Sequence, residues 1–158
     1  MAPIFSIVIP TYNRPARLER CLAALAAMDY PKERYEVLVV DDGGTVSLAE
    51  IADRWKERLD LHWLKQSNAG PGAARNTAME QARGEFVAFT DDDCEPEPQW
   101  LSELENSLRA TPGAMAGGHT VNALEGNAYA ETSQVIVDIV YDFFVQGHES
   151  PAFFASNN

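Results

Sequence analysis

Positive charge is scarce in this chain. Twelve Lys and Arg stand against 24 Asp and Glu in 158 residues, a net charge of −12. A nucleic-acid surface needs net or clustered basic charge, and anionic lipid attracts basic segments, so neither partner fits. Most of the acidity reads as solvated surface. Cysteine is scarce as well. Cys21 and Cys94 have no metal-ligand spacing, a disulfide is not expected, and a reducing compartment fits better. Cys21 falls in a helical apolar pattern and reads as a small core residue. Long apolar runs are missing: the most apolar late stretch, 135–145, contains Asp138 and Asp142 and is too short to span a bilayer. No basic n-region with a cleavage site opens the chain. The expectation is a soluble, cytoplasmic chain, peripheral to a membrane in a longer parent. No Gly-x-Ser-x-Gly elbow or Cys/His pair stands out, and no repeats or low-complexity tracts. His62, His119 and His148 are scattered and read as structural or surface groups.

What the chain does have is an alternation of strand and helix signals. Apolar runs at 5–9, 35–40 and 85–90, and a weaker one at 61–64, read as strands. Between them lie helical patterns. Pro15 opens one with Leu18, Leu22, Leu25 and Met28 at spacings of three or four, and Tyr30-Pro31 stops it. Ser47-Leu48-Ala49-Glu50 reads as a capping box before Ile51 and Trp55. A Gly-rich turn at 68–72 leads to an Ala-rich helix as far as Arg83, ended by Gly84. Pro98 suits the first turn of a helix carrying Leu101, Leu104 and Leu108. Residues 115–121 read as a further strand and 129–145 as a helix. This β-α order predicts an α/β fold with a mainly parallel sheet and helices on both faces, as one domain over 1–158. Near-continuous Val/Ile runs fit strands buried on both sides.

In such sheets ligands bind at the carboxyl ends of the strands. Three segments fall there: residues 10–14, Asp41-Asp42 and Asp91-Asp92-Asp93. Three carboxylates in a row cannot be buried bare. In extended chain Asp91 and Asp93 face one side, about 6–7 Å apart at ~3.3 Å per residue. Two hard oxygen ligands suit Mg²⁺ or Mn²⁺, and a dication lets a pyrophosphate approach the carboxylates. The bland alternative is a solvated acidic turn near a helix N-terminus. Asp42 can accept from a base N–H or a ribose hydroxyl, or serve a polar turn before Gly43. Gly70, Gly72, Arg75 and Asn76 stand at a loop-to-helix junction that offers N–H groups and a guanidinium to an anion, or only a tight turn. Tyr12 can stack on a base and Arg14 reach a phosphate, or both are loop surface.

Four ordered blocks carry a resemblance: Ser6-Ile7-Val8-Ile9-Pro10-Thr11-Tyr12-Asn13-Arg14, Val39-Val40-Asp41-Asp42-Gly43, residues 68–76, and Phe89-Thr90-Asp91-Asp92-Asp93. Together, over about residues 4–110, the chain resembles family 2 glycosyltransferases, and the last block looks like their Asp-x-Asp motif. The resemblance implies a GT-A, Rossmann-like sandwich and a nucleotide-diphosphate-sugar donor. It implies that Pro10, Thr11 and Tyr12 line the nucleoside pocket, that Asp42 reads the base, and that Arg75 lies near base or phosphates. Asp91 and Asp92 are then near the ribose and metal, and Asp93 is the strongest metal ligand. Family members typically invert the anomeric centre, using an acidic base well downstream of Asp-x-Asp. No matching acidic pair occurs before Asn158, and Glu131 and Asp138 are poorly placed, so the expectation is a donor-binding portion of a longer enzyme. Acceptors of the family are saccharides, lipids or other hydroxyl compounds. Apolar Phe143, Phe144, Phe153 and Phe154 suggest self-association. The competing readings are a sugar-phosphate nucleotidyltransferase, whose first strand would usually lead into a Gly-rich loop, and a nucleotide-binding module without catalysis.

Overall fold

The computed structural model describes residues 2–124 and 126–145. Four strands form one all-parallel sheet in the order β3-β2-β1-β4: β1 (Phe5–Thr11), β2 (Tyr35–Asp42), β3 (Leu61–Gln66) and β4 (Phe86–Phe89). The crossovers are helices α1 (Pro15–Ala26), α2 (Ala49–Lys56) and α3 (Pro71–Met79), and β4 is followed by α4 (Trp100–Ala110). The residues up to Gly113 form one compact unit, and those from Ala114 form a second, which contains helix α5 (Ala128–Val145).

Every residue of β1 and β2 is buried, as strands covered on both faces must be. Alternation divides their side chains between two cores. Phe5, Ile7, Ile9, Val37 and Val39 join Leu18, Leu22 and Leu25 of α1, Ile51 and Trp55 of α2 and Leu101 of α4. Val8, Leu38 and Val40 meet the small Ala74 and Ala78 of α3 on the other face. Small residues let α3 lie close to the sheet, and its N-terminus stands at the carboxyl edge because α3 follows the carboxyl end of parallel β3.

The structure differs from the sequence expectation in several places. β1 continues through Pro10 to Thr11. Val8 presents its carbonyl to the β4 side, where it accepts from Thr90 N–H. Pro10, two residues on, turns its missing N–H to the same side, where β4 has already ended, so no ladder bond is lost. α2 has no capping box. Its N-cap is Leu48, which is drawn into the core and has no side-chain oxygen to make a cap bond. α3 stops at Met79 rather than reaching Arg83. The Arg83 N–H is taken by Glu36 Oε1 at 2.7 Å and Ser6 Oγ at 3.1 Å instead of a helical carbonyl. α4 starts at Trp100, since the Pro98 carbonyl accepts from Asp29 N–H. Residues 115–121 form no strand, and Met115 and Val121 are exposed. The helix read at 129–145 is present as α5. The side chains of Phe143 and Phe144, and Phe153 and Phe154 altogether, lie outside the described residues.

Candidate functional site

The sheet reverses its building direction between β1 and β4, and this is the crevice where open α/β sheets place ligands. The acidic triplet leaves β4 directly into that crevice. Here the chain turns, with Cys94 N–H bonded to the Asp91 carbonyl at 3.1 Å. The side-chain alternation of an extended strand therefore does not apply, and each of the three carboxylates takes a different main partner, with Arg14 shared between Asp92 and Asp93. Asp91 Oδ1 accepts from Arg75 Nη2 at 2.5 Å. Asp92 accepts from Thr11 Oγ1 at 2.7 Å and from Arg14 Nη1 at 3.3 Å. Asp93 Oδ2 accepts from Arg17 Nη1 at 2.7 Å and from Arg14 at 3.4 Å.

Their burial differs as well. Asp91 and Asp92 are buried, whereas the Asp93 side chain is 26% exposed, which leaves it the accessible member. Burial pushes the Asp91 carboxyl up, against the opposing effect of the Arg75 guanidinium. Burial likewise raises Asp92, against the bonds from Thr11 and Arg14. Asp91 Oδ2 is buried with no hydrogen-bond partner, and so is Arg75 Nε beside it. An unpartnered carboxylate oxygen and donor in a ligand crevice are a stored demand for a counter-group.

Asp42 at the end of β2 serves the neighbouring loop. It accepts from Ala69 N–H (2.9 Å), Gly70 N–H (2.8 Å) and Gln66 Nε2 (2.7 Å). Burial alone would raise its carboxyl, but these three bonds outweigh it and hold the group below the usual range. Gln66 in turn accepts from Thr77 of α3 at 2.6 Å. The next residue, Gly43, has φ +75°, and a Cβ there would stand 2.6 Å from Asn68 N, so only glycine fits the closed turn. Gly70 precedes Pro71, the first residue of α3, and Gly72 follows within its first turn. Tyr12 is 47% exposed beyond β1. Asn13, at φ 56°, accepts from the N–H groups of Thr45 and Val46 and so pins the loop after β2. The sequence reading gave Asn13, Arg17 and Gln66 no role of their own. Only their places in space reveal one: Gln66 beside Asp42, Arg17 beside Asp93, and Asn13 against the loop at 45–46.

Two other features lie apart from this crevice. A cleft of about 280 Å³ opens after β2, lined by Asp41, Val46, Trp63 and Lys65 among others, but Thr11, Asp42 and residues 91–93 do not line it. Among the described residues, one trio of ligand atoms lies within 4.8 Å of one another, on Glu36, Asp60 and His62. This trio sits near the amino ends of β2 and β3. Arg83 already supplies its cation, with Nη2 at 2.6 Å from Glu36, 3.0 Å from Asp60 and 2.9 Å from His62 Nε2. We read it as an ion-pair network that ties the segment between α3 and β4 to the sheet.

A model of the family described as glycosyl transferase family 2 matches residues 6–153. The chain belongs to glycosyl transferase family 2. Its relatives in the family include glycosyltransferase AglE of Haloferax volcanii, 40% identical over 119 residues, 74% of this chain and 39% of AglE. The poly(ribitol-phosphate) β-N-acetylglucosaminyltransferase TarS of Staphylococcus aureus is 42% identical over 56% of this chain and 16% of its own length. The chain thus spans about two fifths of AglE and about a sixth of TarS. A TarS structure in complex with UDP-GlcNAc superposes with a TM-score of 0.63 at 31% identity, over 77% of this chain and 38% of that one. The mannosyltransferase PcManGT of Pyrobaculum calidifontis, in complex with GDP-Man and Mn²⁺, gives 0.64 at 32% identity, over 71% and 34%. The parallel sheet flanked by helices is the GT-A fold of this family.

Proposed function

We propose that this chain binds a nucleoside-diphosphate sugar at the β1/β4 crevice through Mg²⁺ or Mn²⁺, and that its whole protein transfers the sugar to an acceptor hydroxyl with inversion. The observation that carries this reading is the meeting of Asp91, Asp92 and Asp93 with Thr11, Arg14 and Arg75 across the switch point of the sheet. TarS bound to UDP-GlcNAc and PcManGT bound to GDP-Man and Mn²⁺ share the fold and support the class of donor.

The residues present suit a dication. Asp93 offers a partly exposed carboxylate, and Asp91 offers a buried oxygen without a partner. Hard oxygen donors of this kind select Mg²⁺ or Mn²⁺ over softer metals. A dication there supplies the positive charge that lets a diphosphate lie against aspartates and leave with its negative charge neutralised. The chain's own groups do the rest. Exposed Tyr12, with Pro10 and Thr11 behind it, forms a platform for the nucleoside. Asp42 retains acceptor capacity on Oδ2 for a base N–H while fixing the loop at 68–70. Arg75, held by Asp91, places a cation beside the phosphates, and Gly72 in the first turn of α3 adds a backbone donor, the Gly70 N–H being taken by Asp42. In the transfer, the acceptor oxygen loses its proton to a base and bonds to the anomeric carbon. The bond from that carbon to the diphosphate breaks, and its electron pair leaves with the nucleotide. Asp138 is engaged with His119 (3.0 Å) and Gln134 (2.7 Å) and is not assigned as the base.

Calorimetric titration with UDP and GDP, with and without Mn²⁺, tests the proposal. Binding should require or be strengthened by the metal, and Asp93→Ala should lose the metal-dependent part while keeping its circular dichroism. Folded protein that shows no metal-dependent binding of any nucleoside diphosphate overturns it.

A further inference from the structure

Two of the three aspartates carry arginines of very different character. Arg75 and Asp91 are both shielded, their side chains 18% and 10% exposed. Arg17 and Asp93 are 51% and 26% exposed, and Arg17 reaches Asp93 from the first turn of α1 at 2.7 Å. We propose that Arg17 is a resident counter-cation of the Asp93 carboxylate, with which a divalent ion competes, so that Arg17 lowers the metal affinity of the site. This rests on the reading of Asp93 as a metal ligand.

The two cations compete for one carboxylate. Arg17 and Arg14 both donate to Asp93 Oδ2. A guanidinium has five donors and no acceptor, so it draws on the carboxylate's charge without adding a ligand to a metal. Two cations at one carboxylate also repel. The half-exposed pair is hydrated and screened, which makes its displacement cheap compared with opening the shielded Arg75–Asp91 pair. Arg14 extends the same arrangement: it shares one guanidinium nitrogen between Asp92 at 3.3 Å and Asp93 at 3.4 Å, both long contacts. The turn at 91–93 is thus held together by arginines that a metal can replace, while Arg75 stays in place.

The test is Mn²⁺ binding without nucleotide, followed by the electron-spin-resonance signal of free Mn²⁺, for the wild type, Arg17→Ala, Arg20→Ala and Asp93→Ala. Arg20 lies one turn further along α1 and pairs with Glu95 at 3.2 Å, so its removal takes away the same charge without touching Asp93. Arg17→Ala should bind Mn²⁺ about twofold to fivefold more tightly, the range an exposed ion pair carries. Arg20→Ala should change the affinity less. Equal affinity of Arg17→Ala and wild type overturns the proposal, as does equal tightening in both arginine variants. Binding by the wild type that Asp93→Ala abolishes upholds the metal site whatever Arg17 does. Absence of Mn²⁺ binding in both the wild type and Arg17→Ala removes the metal reading, and this proposal with it. Binding that appears only in Arg17→Ala supports the competition directly.

Discussion

Asp42 carries more hydrogen bonds than any other carboxylate of the crevice, and all come from the segment that precedes α3. An asparagine at 42 keeps the shape but turns one acceptor into a donor. That donor then faces the N–H of Ala69 or Gly70, and one buried group goes without a partner. We expect Asp42→Asn to lower stability by about 1–3 kcal/mol, read from the urea midpoint. If the three bonds were incidental, the midpoint would not move. The neighbouring Asp41 differs: it accepts from Gly44 N–H at 2.8 Å and lies 3.6 Å from Lys65 on the opposite face of the sheet. One step in sequence separates two carboxylates with separate tasks.

At the scale of elements, the turn between α3 and β4 is fastened by a knot that the sequence hides. Ser6 Oγ donates to Glu36 Oε1 at 2.6 Å and accepts from Gly84 N–H at 2.8 Å, while Arg83 closes on Glu36 from both its backbone and its side chain. A Cβ on Gly84 would stand 2.5 Å from Ser6 N, so the chain can pass here only as glycine. Removing the centre of the knot, Glu36→Ala, orphans buried donors and should cost about 1–3 kcal/mol in chemical denaturation, whereas nucleotide affinity should hold, since the knot lies near the opposite end of the strands. The strands were legible because their apolar runs admit no other burial, and the edge that carries the site followed from parallel topology. The pairing of each aspartate was not legible. It depends on the turn at 91–93, which replaces strand alternation, and on Arg17, whose spacing on α1 marks it only as a polar face. The lost strand at 115–121 is interrupted by Gly117-Gly118, which strands disfavour, and pairs with no neighbour among the described residues.

The whole molecule should respond to pH in two opposing phases. Asp91 and Asp92 have folded-state carboxyls raised by burial. Protonation therefore favours the folded state, and stability should rise as pH falls from neutrality through their folded values. Glu36 and Asp42 are held low: burial would raise both, but Ser6 and Arg83 at Glu36, and Ala69, Gln66 and Gly70 at Asp42, prevail. Their contribution is complete above the unfolded carboxyl values of about 4 and is lost as pH drops through the lower folded ones. Urea midpoints measured from pH 8 down to pH 3 should pass through a maximum on the acid side of neutrality. In the double variant Asp91→Asn, Asp92→Asn the rising limb should flatten while the acid fall remains. A rise that survives in that variant would trace instead to the net charge of −12.

Helix α3 touches the crevice at two heights. Its leading end is clasped to Asp42, its middle carries Arg75 to Asp91, and Thr77 reaches back to Gln66. A rod gripped at both places behaves as a lever: a shift at the Asp42 end is delivered to the Asp91 end. On the proposed reading of the crevice, re-engineering which base is preferred would therefore also retune the grip on the diphosphate, and selection on either trait would drag the other along.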